Sequence, residues 1–193
     1  MDGRHGSSLI DEIGGGLIRK LEQKAMQLED TDIVALDWFN GRRYPHLNEN
    51  VKAAVMGLSL GSTAPEIYRA LVMATVFGSR RVFDSFLANG IEIERLIMVG
   101  GIAKKSPFVM QMMADVLKRP VMVCNEEQVC ALGAAIYAAV AAGFYPDVPA
   151  AQAALCEPFE VNYLPAEKSS AKYEEGYRRY RMLGDFVESA AEG

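Results

Sequence analysis

Apolar residues return every three to four positions near the start of the chain, at Leu9, Ile10, Ile13, Leu17, Ile18, Leu21, Ala25 and Leu28. That spacing predicts an amphipathic helix over roughly residues 8–27. Gly14, Gly15 and Gly16 interrupt it, and each costs a helix interior about 1 kcal/mol relative to alanine, so a weakened or kinked helix is expected. A glycine triplet can also cradle a phosphate. Here no strand precedes it and no Lys-Ser or Lys-Thr follows, so the phosphate-loop pattern fails. Residues 1–8 are expected to be disordered, and 9–193 to form one domain.

Further along, Ile33-Val34-Ala35-Leu36 is a short β-type run, followed by loop signals at Asn40-Gly41 and Pro45. Thr63 and Glu66 have capping-box spacing, with a hydroxyl and a carboxylate placed for the free amides of a helix start. Ile67, Ala70, Leu71, Ala74, Phe77, Val82 and Phe86 supply that helix's inner stripe, and Asn89-Gly90 its stop. The pattern then alternates. A strand is predicted at Leu96–Val99, a helix from Ser106-Pro107 to about Leu117, a strand at Val121–Val123, and a helix capped by Asn125 and ending at Gly143. Strand, helix, strand, helix implies a parallel sheet covered by helices, because parallel neighbours need crossover connections. A last helix is predicted over residues 173–188, after a stretch rich in Ala and Pro. Three strands in all predict a sheet short of members.

Composition narrows the functional classes. Half of the 193 residues are hydrophobic and 23% are charged, as in a globular domain. A formal net charge of -5, with basic and acidic residues interspersed, offers no basic surface for a nucleic acid backbone. Cys124, Cys130 and Cys156 form neither a disulfide framework nor a zinc pattern, which favours a reducing cytoplasm. No apolar run is long enough for a membrane span.

The segment richest in chemistry is Ile97 to Ser106, where a strand ends in Gly100-Gly101 and a helix is expected to begin at Ser106. Glycines let backbone approach a ligand closely, and a helix start offers free amides. Ligands gather at the carboxyl ends of parallel strands. From pattern alone, a nucleotide site and a tight strand-to-helix turn both remain open.

Val99-Gly100-Gly101-Ile102-Ala103 followed by Ser106 resembles the adenosine motif of the superfamily that joins sugar kinases, heat-shock proteins and actin. Gln111 with Ala114-Asp115, Arg119-Pro120-Val121, and Cys130-Ala131-Leu132-Gly133-Ala134-Ala135 are similar to FGGY carbohydrate kinases. Leu36-Asp37-Trp38 with Asn40-Gly41-Arg42, Ala64 to Leu71, and Gln128 to Gly133 resemble the L-ribulokinase group within that family. The resemblance covers roughly residues 33–187.

It implies an actin-like ATPase, ribonuclease H-like α/β domain, incomplete for want of its first hairpin strands. It also implies a kinase that passes the γ-phosphoryl of MgATP to a primary hydroxyl of a ketopentose. In the family, a catalytic aspartate in the preceding half and a Gly-Thr-rich hairpin complete the site. Neither is present here, so the isolated chain is expected to be inactive, or to act as a non-catalytic actin-like module through association. Gly100 and Gly101 are the implied contacts to ribose and α-phosphate, followed by Ala103, Ser106 and Gln111. Ser106 suits an N-cap equally well. Gln111 and Asp115, four apart, either reach adenine or ribose or bond a neighbouring loop. Gly133 reads as a helix-packing glycine, and Cys130 as a small hydrophobe on an apolar face. Asp37 is set aside as a general base because the family keeps that base elsewhere. Arg42 suits structural carboxylates or phosphates. An apolar face bared by the absent half predicts homo-oligomers.

Overall fold

The computed structural model describes residues 16–29, 31–157, 159 and 161–191. They fall into two units, one drawn from Met1–Glu92 with Lys168–Gly193 and the other from Ile93–Glu167.

In the first unit, helix α1 is described over 16–26. Its expected start, two of its three glycines and the stripe residues Leu9, Ile10 and Ile13 lie outside the described residues, as does the segment expected to be disordered. Leu17 and Ile18 are half exposed while Ala25 is buried. Strand β1 (Val34–Ala35) is the centre of a run, Ile33 to Leu36, buried throughout. It pairs antiparallel with β2 (Val55–Met56), a strand the sequence reading left within a loop.

Helix α2 (Ala64–Ala88) starts and stops where its signals stand. The Glu66 carboxylate accepts from both the Thr63 amide and the Thr63 hydroxyl at 2.7 Å. Gly90, with φ at +75°, follows the C-cap Asn89. Ala70, Ala74 and Phe77 of the expected stripe are buried, whereas Phe86 is exposed. The long helix α7 (Glu167–Ala191) exceeds the expected 173–188 at both ends. Phe77 lies 5.6 Å from the rings of both Tyr177 and Tyr180, and Arg80 bonds Glu174 at 2.9 Å. These rings belong to a buried set that also holds Leu36, Trp38 and Val51.

In the second unit, β3 (Leu96–Met98) and β4 (Val121–Val123) pair in parallel, as the alternation implied. A third strand, β5 (Val161–Tyr163), adds antiparallel to β4 and makes the sheet mixed, in the order β3-β4-β5. Short helix α3 (Gly101–Lys105) precedes α4 (Pro107–Leu117), whose bounds match the expectation. Asn125 does not cap the next helix. The Glu126 side chain captures the Gln128 amide at 2.7 Å, and α5 (Val129–Ala141) begins only after Gln128. The Ala- and Pro-rich stretch holds α6 (Val148–Leu155), where Asp147 accepts the Ala150 amide at 2.8 Å. The architecture is mixed α/β with partial sheets of two and three strands among the described residues.

Candidate nucleotide site

β3 delivers the chain to Gly100, whose φ of +91° and ψ of -178° place it in a region that is essentially glycine-only. Backbone shape therefore demands this glycine. A Cβ added at Gly100 or Gly101 would meet nothing within 4 Å, so the surface over the turn is open to a ligand. Both strand ends are held in line, since the Cys124 amide donates to the Met98 carbonyl at 2.9 Å.

The other residues singled out in the sequence follow on α3, at the cap of α4 and within α4. Ala103 is buried in α3. Ser106, also buried, caps α4 by accepting the Val109 amide at 3.2 Å. The helix that follows the glycines directly is thus the five-residue α3, and one of the first free amides of α4 is already taken by Ser106. The electrostatic help expected from a helix start is correspondingly smaller. Gln111 lies farther down α4, where its amide donates to Asp115 at 2.9 Å and to the Leu164 carbonyl at 2.8 Å. Asp115 also accepts the Ala166 amide at 2.8 Å. Of the two roles open for this pair, bonding a neighbouring loop is the one the structure displays. Sequence reasoning missed Lys104, whose ammonium donates to the Asn125 carbonyl and ties the glycine turn to the loop after β4. A lysine next to a lysine in a polar turn carries no signal for that contact.

A cavity of about 430 Å³ opens beyond β4, bounded by Asn125 and Glu126, by α5 and α6, and by Cys156 to Phe159. Gly100 and Gly101 do not line it. Gly133 does, and a Cβ there would meet nothing within 4 Å. Gly133 is therefore not a close-packing glycine. Cys130 is exposed, not seated on a packed apolar face.

The first unit carries a separate polar cluster. The Tyr180 hydroxyl donates to Asp37 at 3.1 Å. Burial raises the Asp37 pKa, opposed in part by its backbone hydrogen bond, Tyr180 and Arg81. Burial and the neighbouring Asp37 in turn raise that of Tyr180. A Cβ at Gly78 would stand 2.8 Å from the Asp37 carboxylate, which accounts for glycine in mid-helix. Arg42 pairs with Glu188, donates to the His46 carbonyl at 2.7 Å and lies 5.1 Å from the Trp38 ring centre. Its partner is thus a structural carboxylate.

Residues 6–142 match the description "FGGY family of carbohydrate kinases, C-terminal domain". The chain belongs to the FGGY family of carbohydrate kinases. A ribulokinase of Vibrio parahaemolyticus is 45% identical over 184 residues, which is 94% of this chain and 32% of that protein. The FGGY chain described here thus spans about a third of the length of the curated relatives it matches. A xylulose kinase of Rhodospirillum rubrum shares its fold with a TM-score of 0.78 at 24% identity, over 96% of this chain and 37% of that one. A Plasmodium falciparum glycerol kinase solved with ADP shares it with a TM-score of 0.69 at 19% identity, over 92% and 36%.

Proposed function

We propose that this chain supplies the ATP-binding side of an ATP-dependent sugar kinase acting on a ketopentose such as L-ribulose in the cytoplasm, and that alone it transfers no phosphoryl group. The observation that carries the reading is the Gly100–Gly101 turn, glycine-only in backbone and open above, in a chain of this family. Backbone at Gly100 and Gly101 contacts ribose and α-phosphate, with Ala103 and Ser106 shaping the turn from below. Gln111 serves by bracing the loop at Leu164, and touches adenosine only if that bond is exchanged.

Among the described residues no group of three or more His, Cys, Asp or Glu could hold a metal ion; in MgATP the phosphates and water supply most of the ligands of Mg2+. Phosphoryl transfer depends on positioning and charge stabilisation. What the chain contributes is orientation of the nucleoside end. Without two or three hydrogen bonds to charged phosphate oxygens, each about 1.5 to 3 kcal/mol, affinity for ATP falls by several orders of magnitude. Self-association of the isolated chain belongs to the same reading.

A coupled assay of the pure chain with MgATP and L-ribulose tests the reading. The expected result is no turnover alone, and turnover when this chain replaces the matching third of the Vibrio parahaemolyticus ribulokinase. Turnover by the chain alone that vanishes in Gly100→Val would overturn it.

A further inference from the structure

The first unit holds a cavity of about 210 Å³ between α2, β1 and α7. Its floor is apolar, formed by the buried Ala70, Ala74 and Phe77 of α2 and by the buried run from Ile33 to Ala35. The opposite wall is one face of α7, where Lys172, Gly176 and Arg179 follow at i, i+4 and i+7. Gly176 keeps the middle of that face low, since a Cβ there would stand 3.1 Å from Phe77 and 3.9 Å from Met73. The two cations are left at either end, about 10 Å apart along the axis at roughly 1.5 Å per residue. The pocket therefore joins an apolar middle to positive ends.

The charges around it do not cancel. The Lys172 ammonium donates to the Glu29 carbonyl at 3.1 Å and the Arg179 guanidinium to the Asp32 carbonyl at 2.6 Å. Neutral carbonyls leave both charges in place, and an ammonium with three donors and a guanidinium with five have capacity left. Two carboxylates also border the cavity. Glu175 accepts two bonds from Arg178, at 2.7 and 2.6 Å, and is matched there. Asp32 is fully exposed and 3.8 Å from Arg179, beyond hydrogen-bond reach, and such an exposed pair is worth little. A positive surplus at an enclosed site stands out in a chain of net charge -5.

We propose that this cavity binds a small aliphatic dicarboxylate, its methylenes on the floor of α2 and β1 and its two carboxylates on Lys172 and Arg179. The volume equals about seven waters at roughly 30 Å³ each, which admits a chain of about six carbons and excludes a nucleotide. Inorganic phosphate, polar throughout, would leave the apolar floor uncovered. The residues of the glycine turn take no part, so this is a second ligand site, in the first unit.

Isothermal titration calorimetry of the chain with adipate, hexanoate and inorganic phosphate tests the proposal. Adipate is expected to bind saturably, about tenfold or more tighter than hexanoate, which engages one end only. Lys172→Gln and Arg179→Gln should each weaken adipate by about tenfold, bringing it close to hexanoate. Lys52→Gln, which removes an exposed cation outside the cavity, should leave adipate binding unchanged. Arg179 also holds the Asp32 carbonyl, so if its variant loses the native circular dichroism spectrum, the exposed Lys172 decides the test alone. No saturable binding of adipate, equal affinity for hexanoate or phosphate, or undiminished affinity in Lys172→Gln would overturn the proposal.

Discussion

The glycines of α2 and α7 and the glycine of α5 meet opposite surroundings. In the first unit, a Cβ at Gly176 would stand 3.1 Å from Phe77, one at Gly184 3.0 Å from Trp38, and one at Gly78 2.8 Å from Asp37. In the second, a Cβ at Gly133 would meet nothing. The first set exists because partners press against the helix. The second leaves room that nothing in its own unit fills. A helical glycine thus has no fixed meaning, and its neighbours decide whether it reports packing or a vacancy. A difference of degree separates Phe77, clasped by two tyrosines although it borders a cavity of about 210 Å³, from Ile136, which borders the cavity of about 430 Å³.

The sharpest way to break this comparison is to truncate the two core residues. Phe77→Ala should cost about 3–5 kcal/mol of unfolding free energy, and Ile136→Ala about 2 kcal/mol, the low end for such a change because fewer contacts are lost. Urea denaturation measures both, and equal losses would erase the distinction.

Adding one methyl group should change sign between the units. Gly184→Ala should destabilise by about 1–3 kcal/mol, through the clash with Trp38. Gly133→Ala should stabilise by up to about 1 kcal/mol, since helix propensity improves and nothing obstructs the Cβ. The same denaturation series reads both, and a destabilising Gly133→Ala would show that the cavity wall is tighter than described.

The smallest effect concerns Asp37, whose pKa is raised by burial above the ordinary 3.8. Between that value and the raised one, the folded chain keeps a proton that the unfolded chain has lost. Stability therefore falls as pH rises through this window and is level above it. Asp37→Asn removes the penalty while leaving an oxygen for the Tyr180 hydroxyl. Thermal melts should show the variant above wild type at neutral pH, with the gap closing in acid. A gap independent of pH would mean that the carboxylate is not the cause.

The parts of the fold legible in the sequence were those with chemical punctuation. α4 matches its predicted bounds because Ser106-Pro107 opens it and Arg119-Pro120 follows its end; the left-handed Lys118 that closes it is visible only in the structure. α2 was equally clear from Thr63, Glu66 and Asn89-Gly90. β2 and β5 escaped because two or three residues cannot show a period. The start of α5 was misplaced because Asn125 is the more familiar cap, although Glu126 is the residue that engages the helix entry. α6 did carry a signal, Asp147 two residues before Pro149, hidden by its Ala-rich surroundings. At the candidate site, the strained glycine turn could be read from local sequence. The bond from Gln111 to Leu164, 53 residues away, could not, because only tertiary structure brings those groups together.

The central claim, that Gly100 and Gly101 form a nucleotide-contacting turn, is tested most directly by titrating the isolated chain and its Gly100→Val variant with a fluorescent ATP analogue. Valine places a branched side chain on a backbone that only glycine adopts readily and over the surface the ligand needs. The predicted result is weak, saturable binding by the wild-type chain, competed by ATP and lost in the variant while its circular dichroism spectrum stays unchanged. Saturable binding of equal strength in both chains would contradict the account.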